Sequence, residues 1–335
     1  MGERTSAKAL GKLLSAANCA SRKSLGLRAF EPARTHKDLD QRPRESGTPL
    51  SALELLQRSF RPSEVRYKPE DSPFTTLFAD ITHRCNMACR NCYIPVRALP
   101  DLPVDWLYSI LARLPRRTRI RLVGAEPTMR EDLPEIISAV RRLGHVPVVL
   151  SNGLKLGRAS YVRKLKDAGL RTIYLSLNGG LRDDLYEAID GLACASRKLS
   201  ALDNLIAARM HVTTGMILVP NVNDGHLGLF LDHVLGRGVR DLHFRSVGGV
   251  GNHLAGEPFD LDGLERCLRE ALGDRAAGLD RVRENGASRD FRLEGGIAIQ
   301  LTQWPELGSL ERGRIAPDGW LEPMFESIVA NEHSY

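Results

Sequence analysis

The chain has no long apolar run. None of its stretches approaches the roughly 18 consecutive apolar residues of a membrane-spanning helix, which argues against an integral membrane protein. The N-terminus lacks the compact apolar segment and small-residue cleavage site of a secretory signal. Cysteine is also scarce: there are six in 335 residues, and three of these crowd into positions 85–92. That distribution argues against a disulfide framework and for a reducing compartment, so a cytoplasmic location is expected. There is no repeat at a solenoid period and no low-complexity tract beyond the N-terminal tail. The formal net charge of +6 shrinks once it is divided along the chain. Residues 1–50 hold ten Lys or Arg against five Asp or Glu, a local +5, so the remainder carries 37 basic and 36 acidic residues, or +1. A body so nearly neutral offers no large phosphate-tracking surface, and nucleic acid is not an expected partner.

What is present is an alternation of strands and amphipathic helices. Residues 1–50 are polar and basic, without a sustained apolar face, and read as a flexible tail. Residues 51–73 form a lead-in, with a short helix over 51–60 capped by Ser51. From Phe74 onward strands are expected at 75–81, 119–123, 146–150, 172–177, 211–219 and 241–246, with helical stretches between them. Polar or Gly-rich turns follow these strands, as in a parallel sheet whose ligands sit at the strand C-termini. Six units rather than eight point to an α/β fold, an open partial (β/α)6 TIM-like barrel over residues 74–275. Residues 276–335 are then a small C-terminal cover for its open side, with two short strands expected at 291–293 and 297–301.

The chemistry concentrates where the first strand ends, in Cys85-Asn86-Met87-Ala88-Cys89-Arg90-Asn91-Cys92-Tyr93. Three thiolates on one short loop can face a common point, which suits a metal ion or an iron–sulfur cluster. On the residues alone two other readings stay open. Zinc could be held by a Cys3His set with His83 as fourth ligand, or a disulfide could form and leave one cysteine over. A second motif, Gly124-Ala125-Glu126-Pro127-Thr128, ends the second strand. Small residues there let backbone approach a ligand closely, and a carboxylate can pair with an ammonium group. The C-x3-C-x2-C triad with an aromatic after it, followed one β/α unit later by this motif, resembles the radical S-adenosylmethionine (radical SAM) superfamily. The departure is Ala125, where the family's GGEP motif has its second glycine.

The resemblance covers roughly residues 74–246. It implies one [4Fe–4S] cluster ligated by Cys85, Cys89 and Cys92, with an open iron that chelates the methionine end of SAM. It also implies that Tyr93 lies against the adenine, and that Gly124, Ala125 and Glu126 meet the SAM amino group. Ser151, Asn152, Ser176 and Asn178 then serve its polar remainder, while Val219 and Asn221 match the family's contacts to adenine. A flavodoxin- or ferredoxin-type donor would supply the electron that splits SAM into methionine and a 5′-deoxyadenosyl radical, which takes hydrogen from the substrate. Cys194 and Cys267 are candidates to return a hydrogen atom, although lone helical cysteines are also common buried fillers. The C-terminal part holds no cysteine cluster and so none of the auxiliary centres of the SPASM branch. That favours redox-neutral lyase, isomerase or carbon–carbon bond-forming chemistry.

A Gly-rich loop follows the sixth strand, and its Arg245, Asn252 and His253 are the expected substrate contacts; the run 304–314 is a weaker second candidate. The expected substrate is a small metabolite of nucleoside or sugar type, as in antibiotic biosynthesis. Modification of a peptide or protein, or a step in cofactor biosynthesis, is the other enzymatic reading. The non-enzymatic reading is a metal-binding module whose basic tail contacts RNA or a protein partner.

Overall fold

The computed structural model describes residues 50–90, 92, 94, 98–247, 258–304 and 310–324. Helix α1 (Ala52–Arg58) is closed at its start by a reciprocal cap. The Glu54 N–H donates to Ser51 Oγ at 3.3 Å, and the Ser51 N–H donates to Glu54 Oε2 at 2.7 Å. The repeating part then runs β1 (Thr76–Thr82), α2 (Val104–Leu111), β2 (Arg119–Gly124), α3 (Leu133–Arg142), β3 (Val146–Ser151) and α4 (Ala159–Asp167). It continues with β4 (Thr172–Ser176), α5 (Asp183–Asp190), α6 (Ala195–Ala207), β5 (His211–Leu218), α7 (Leu227–Gly236), β6 (Asp241–Ser246) and α8 (Leu261–Leu272). Strands β1 to β6 are neighbours in chain order and all parallel. This is the partial barrel that the β/α alternation predicts.

Alternation along each strand sorts side chains between two surroundings. On β2, Ile120 and Leu122 are fully buried in the main core under the helices, while Arg121 and Val123 face the pocket inside the barrel. Helix α3 answers with Ile136, Ile137 and Val140 on its core face. Its last turn carries Arg141 and Arg142, where cations suit the helix dipole.

The C-terminal residues depart from expectation. They continue the sheet on both of its edges, with five strands where two are expected: β7 (Asp280–Asn285), β8 (Ser288–Leu293), β9 (Ile297–Thr302), β10 (Arg312–Ile315) and β11 (Leu321–Pro323). Strand β9 pairs in parallel with β6, and β10 pairs in parallel with β1. The full order is β11-β10-β1-β2-β3-β4-β5-β6-β9-β8-β7, so eight adjacent strands are parallel. The two flanks also meet through side chains. Arg312 on β10 donates to Gln300 Oε1 on β9 at 3.1 Å, and Arg283 on β7 pairs with Glu311 at 2.9 Å. Among the described residues, no helix is long and apolar enough to cross a membrane.

Candidate active site

The loop after β1 is tied down on two sides. The Ala125 N–H donates to Thr82 O at 2.8 Å and the Glu126 N–H to Arg84 O at 3.0 Å, which joins the start of the loop to the end of β2. The Arg90 N–H donates to Ile189 O at 3.1 Å, so the C-terminal end of α5 holds the middle. Cys85 and Cys89 pack against Met87, Leu154, Tyr186 and Cys194. Cys85, Cys89 and Cys92 line one pocket together with Gly124, Ala125, Glu126, Ser151 and Asn152. No disulfide joins any two of the five described cysteines, which removes that reading for them.

Glu126 is fully buried, and burial raises its pKa against four hydrogen bonds that oppose the rise. Its Oε1 accepts from the Thr128 N–H (3.1 Å), Thr128 Oγ1 (2.6 Å) and Ser151 Oγ (2.8 Å). Its Oε2 accepts only the Asn152 N–H, at 2.7 Å, which leaves that oxygen a lone pair for an ammonium group. Asn152 braces the cysteine loop: its Nδ2 donates to Asn86 Oδ1 at 2.8 Å and lies 3.9 Å from Cys85 Sγ. Ser176 and Asn178 also line the pocket, but the Asn178 amide is engaged at both ends. Its Nδ2 donates to Asp190 Oδ1 at 2.8 Å, and its Oδ1 accepts the Ile217 N–H at 3.0 Å. Asp190 in turn pairs with Lys198 Nζ at 2.7 Å, both side chains being 1% exposed.

Three thiols, a carboxylate with a free lone pair and a set of hydroxyl and amide groups thus share one pocket at the C-terminal ends of β1 to β4. The Radical SAM superfamily model matches residues 80–234, which contain all of these groups. Residues 80–234 are a radical SAM domain. The cofactors of this family are a [4Fe–4S] cluster and SAM. The donor set fits the cluster. Burial pushes the Cys89 thiol far above its usual range, so a thiolate there calls for bound iron. Among the described residues no three Cys, His, Asp or Glu side chains are gathered closely enough to hold a single metal ion. Sulfurs that each take a different iron need not converge so tightly. His83 is not among the groups lining the pocket; it is half-buried, with Asp80 and Arg314 among its charged neighbours, so it does not complete a zinc set.

Similarity to individual proteins adds detail to this radical SAM assignment. The chain is 31% identical over 191 residues to a 7,8-dihydro-6-hydroxymethylpterin dimethyltransferase of Methanocaldococcus jannaschii, covering 53% of this chain and 37% of that one. It is 27% identical over 264 residues to the GTP 3′,8-cyclase of Listeria welshimeri, covering 72% of this chain and 76% of that one. The chain therefore spans little more than a third of the first relative and about three quarters of the second. Streptococcus suis SuiB bound to S-adenosylmethionine superposes with a TM-score of 0.57 at 15% identity, over 75% of this chain and 60% of SuiB. That likeness concerns the fold.

Several expected radical SAM contacts are placed differently. Cys194 is buried at the cap position before α6, beside Cys85 and Cys89, and Cys267 lies on α8 in an outer groove shared with α7; neither is among the residues that line the pocket. Val219 is buried against Ile189, Ile217 and Val247, outside the pocket lining. Asn221 has φ +61° and shapes the turn after β5, a reason of its own for an asparagine there. Asn223, two residues on, braces that turn by donating to Asn178 O at 2.8 Å and Ile217 O at 2.7 Å. Tyr93, Asn252 and His253 lie outside the described residues, as do the tail and most of the Gly-rich loop. Arg245 does line the pocket.

Sequence reasoning missed the barrel interior. Arg121, Tyr174, His243, Thr302 and Arg312 line the same pocket from β2, β4, β6, β9 and β10. Tyr174 Oη lies 3.1 Å from His243 Nδ1, and His243 Nε2 lies 3.0 Å from Thr302 Oγ1. Gly215 on β5 makes room for this pair, because a Cβ there would overlap the Tyr174 hydroxyl.

Proposed function

We propose that the protein is a radical SAM enzyme that takes hydrogen from a small metabolite seated in the barrel lumen, of nucleoside or sugar type, with a redox-neutral outcome. When bound, the cluster supplies the electron that splits SAM into methionine and a 5′-deoxyadenosyl radical. The observation that carries the reading is the continuity of one pocket, from the three cysteines past Glu126 and Asn152 to Tyr174, His243 and Arg245. Glu126 orients an ammonium group through Oε2, while Phe78, Val123, Leu150 and Ile217 give apolar walls that limit water around a reactive species. The chain's six cysteines leave no second cluster of them beyond residue 92, which supports the redox-neutral outcome. A second reading, a cofactor-biosynthesis step on a purine or pterin, is favoured by the names of the two relatives, a GTP cyclase and a pterin dimethyltransferase.

The test uses full-length protein reconstituted with iron and sulfide, mixed anaerobically with SAM and dithionite, with 5′-deoxyadenosine quantified by mass spectrometry. The wild type should form it and Cys89→Ala should not. No nucleoside from protein verified to carry a complete cluster would overturn the enzyme reading. Stimulation by GTP or a hydroxymethylpterin would move the substrate to the second reading.

A further inference from the structure

The lumen gathers cations that the cleavage of SAM does not use. Arg121 on β2, Arg245 on β6 and Arg312 on β10 all line the pocket, and all three act on Tyr174 and His243. The Nε atoms of Arg121 and Arg245 are buried without a hydrogen-bond partner, and neither side chain makes an ion pair among the described residues. Arg121 rests over the Phe78 ring at 5.2 Å, and Arg312 donates to Gln300. Among the described residues, the two carboxylates that line this pocket are engaged elsewhere, Glu126 with Thr128, Ser151 and Asn152, and Asp190 with Lys198 and Asn178. Burial and the three guanidinium groups hold His243 well below its ordinary range, so it brings no charge of its own. Burial, with Arg312 and Arg119 nearby, pushes Arg121 itself down to about 10.

Guanidinium charges such as those of Arg121 and Arg245, held in a low-dielectric cavity with no ion-pair partner among the described residues, are costly, and a bound anion reverses the sign of that cost. Guanidinium is also the side chain whose planar fork best matches phosphate and carboxylate oxygens. We infer that Arg121, Arg245 and Arg312 form a seat for a phosphate or carboxylate group of the substrate, which is therefore an anion. Arg121 stands three residues before Gly124 on the same strand, roughly 10 Å away at about 3.3 Å per residue. That separation leaves the body of a small metabolite between the seat and the cysteine loop. The inference rests on reading the pocket as a radical SAM active site, and it adds the charge class of what enters.

The experiment is calorimetric titration of reconstituted protein in the presence of SAM, with inorganic pyrophosphate as one probe and succinate as the other. Saturable binding of pyrophosphate or of succinate identifies which anion the seat prefers. Arg121→Gln and Arg245→Gln should each weaken that binding about tenfold or more. Arg121→Lys should weaken it less, and Arg163→Gln, on the exposed face of α4, should leave it unchanged. Circular dichroism of each variant identifies any that fails to fold, and the other variant then carries the test. No saturable binding of either anion, or equal affinity in the wild type and a folded Gln variant, would overturn the inference. Assay of 5′-deoxyadenosine on the same samples separates the two ideas. Anion binding without nucleoside removes the radical reading and keeps the seat, whereas nucleoside without anion binding does the opposite.

Discussion

Gly124 and Ala125 show what the backbone demands of the second motif. Gly124 has φ +114°, and a Cβ there would overlap the Thr82 carbonyl oxygen, so only glycine fits. Ala125 is not among the residues with positive φ, and its N–H simply donates to Thr82 O. The departure from GGEP therefore costs nothing in backbone strain. His243 gives a residue-scale prediction with a definite sign. Its folded pKa is held well below 6.5, whereas the unfolded imidazole takes up a proton as pH falls through about that value. Between those two values the unfolded state binds more protons, so the contribution of His243 is present above about pH 6.5 and declines below it, by up to ~1.4 kcal/mol per pH unit. His83, also held down by burial, acts in the same direction and is common to both proteins compared. Denaturant unfolding of the wild type and His243→Gln between pH 7 and 5 should show a shallower decline in the variant. Equal slopes would remove His243 as a source.

Among the elements, the β4–α5–α6 segment shows why some of the site was legible and some was not. The cysteine triad, the Gly124–Thr128 motif and Ser151-Asn152 each act within a few residues of one strand end, so their chemistry survives in a linear reading. The lumen does not. Arg119-Ile120-Arg121-Leu122-Val123 alternates as a half-buried strand would, and a polar strand face in sequence looks solvent-facing until eight parallel strands turn it inward. The surroundings of Cys194 and Cys267 are hidden for a related reason, because they are set by helix packing that no local pattern reveals. Lys198 likewise reads as an ordinary helix lysine but is fully buried, paired with Asp190 and 4.7 Å from the Tyr186 ring centroid. Replacing it by methionine leaves Asp190 charged and buried with Asn178 as its remaining side-chain donor. Breaking such a pair from one side costs ~3–5 kcal/mol. Urea unfolding of Lys198→Met should show a loss of that order, and a loss under about 1 kcal/mol, the scale of surface pairs, would mean that Asp190 finds water or a proton instead.

For the molecule as a whole, the decisive addition to expectation is that the C-terminal strands join the sheet on both flanks of the barrel. Phe291, Ile299, Leu301, Ile315 and Leu321 all belong to the main core, each no more than 5% exposed. Fully burying one such side chain contributes ~1.5–3 kcal/mol, so five contribute roughly 8–15 kcal/mol. That is the size of the whole stability of a typical domain, about 5–15 kcal/mol. A chain ended after residue 279 would also leave β1 without β10 and β6 without β9, two bare edges where the intact sheet has paired strands. It would lose Arg312 and Thr302 from the pocket wall as well. The truncated chain should therefore show no cooperative thermal transition by calorimetry and should form no 5′-deoxyadenosine after reconstitution. A sharp transition together with undiminished nucleoside formation would instead make residues 280–335 a dispensable cover and confine the working fold to the six β/α units.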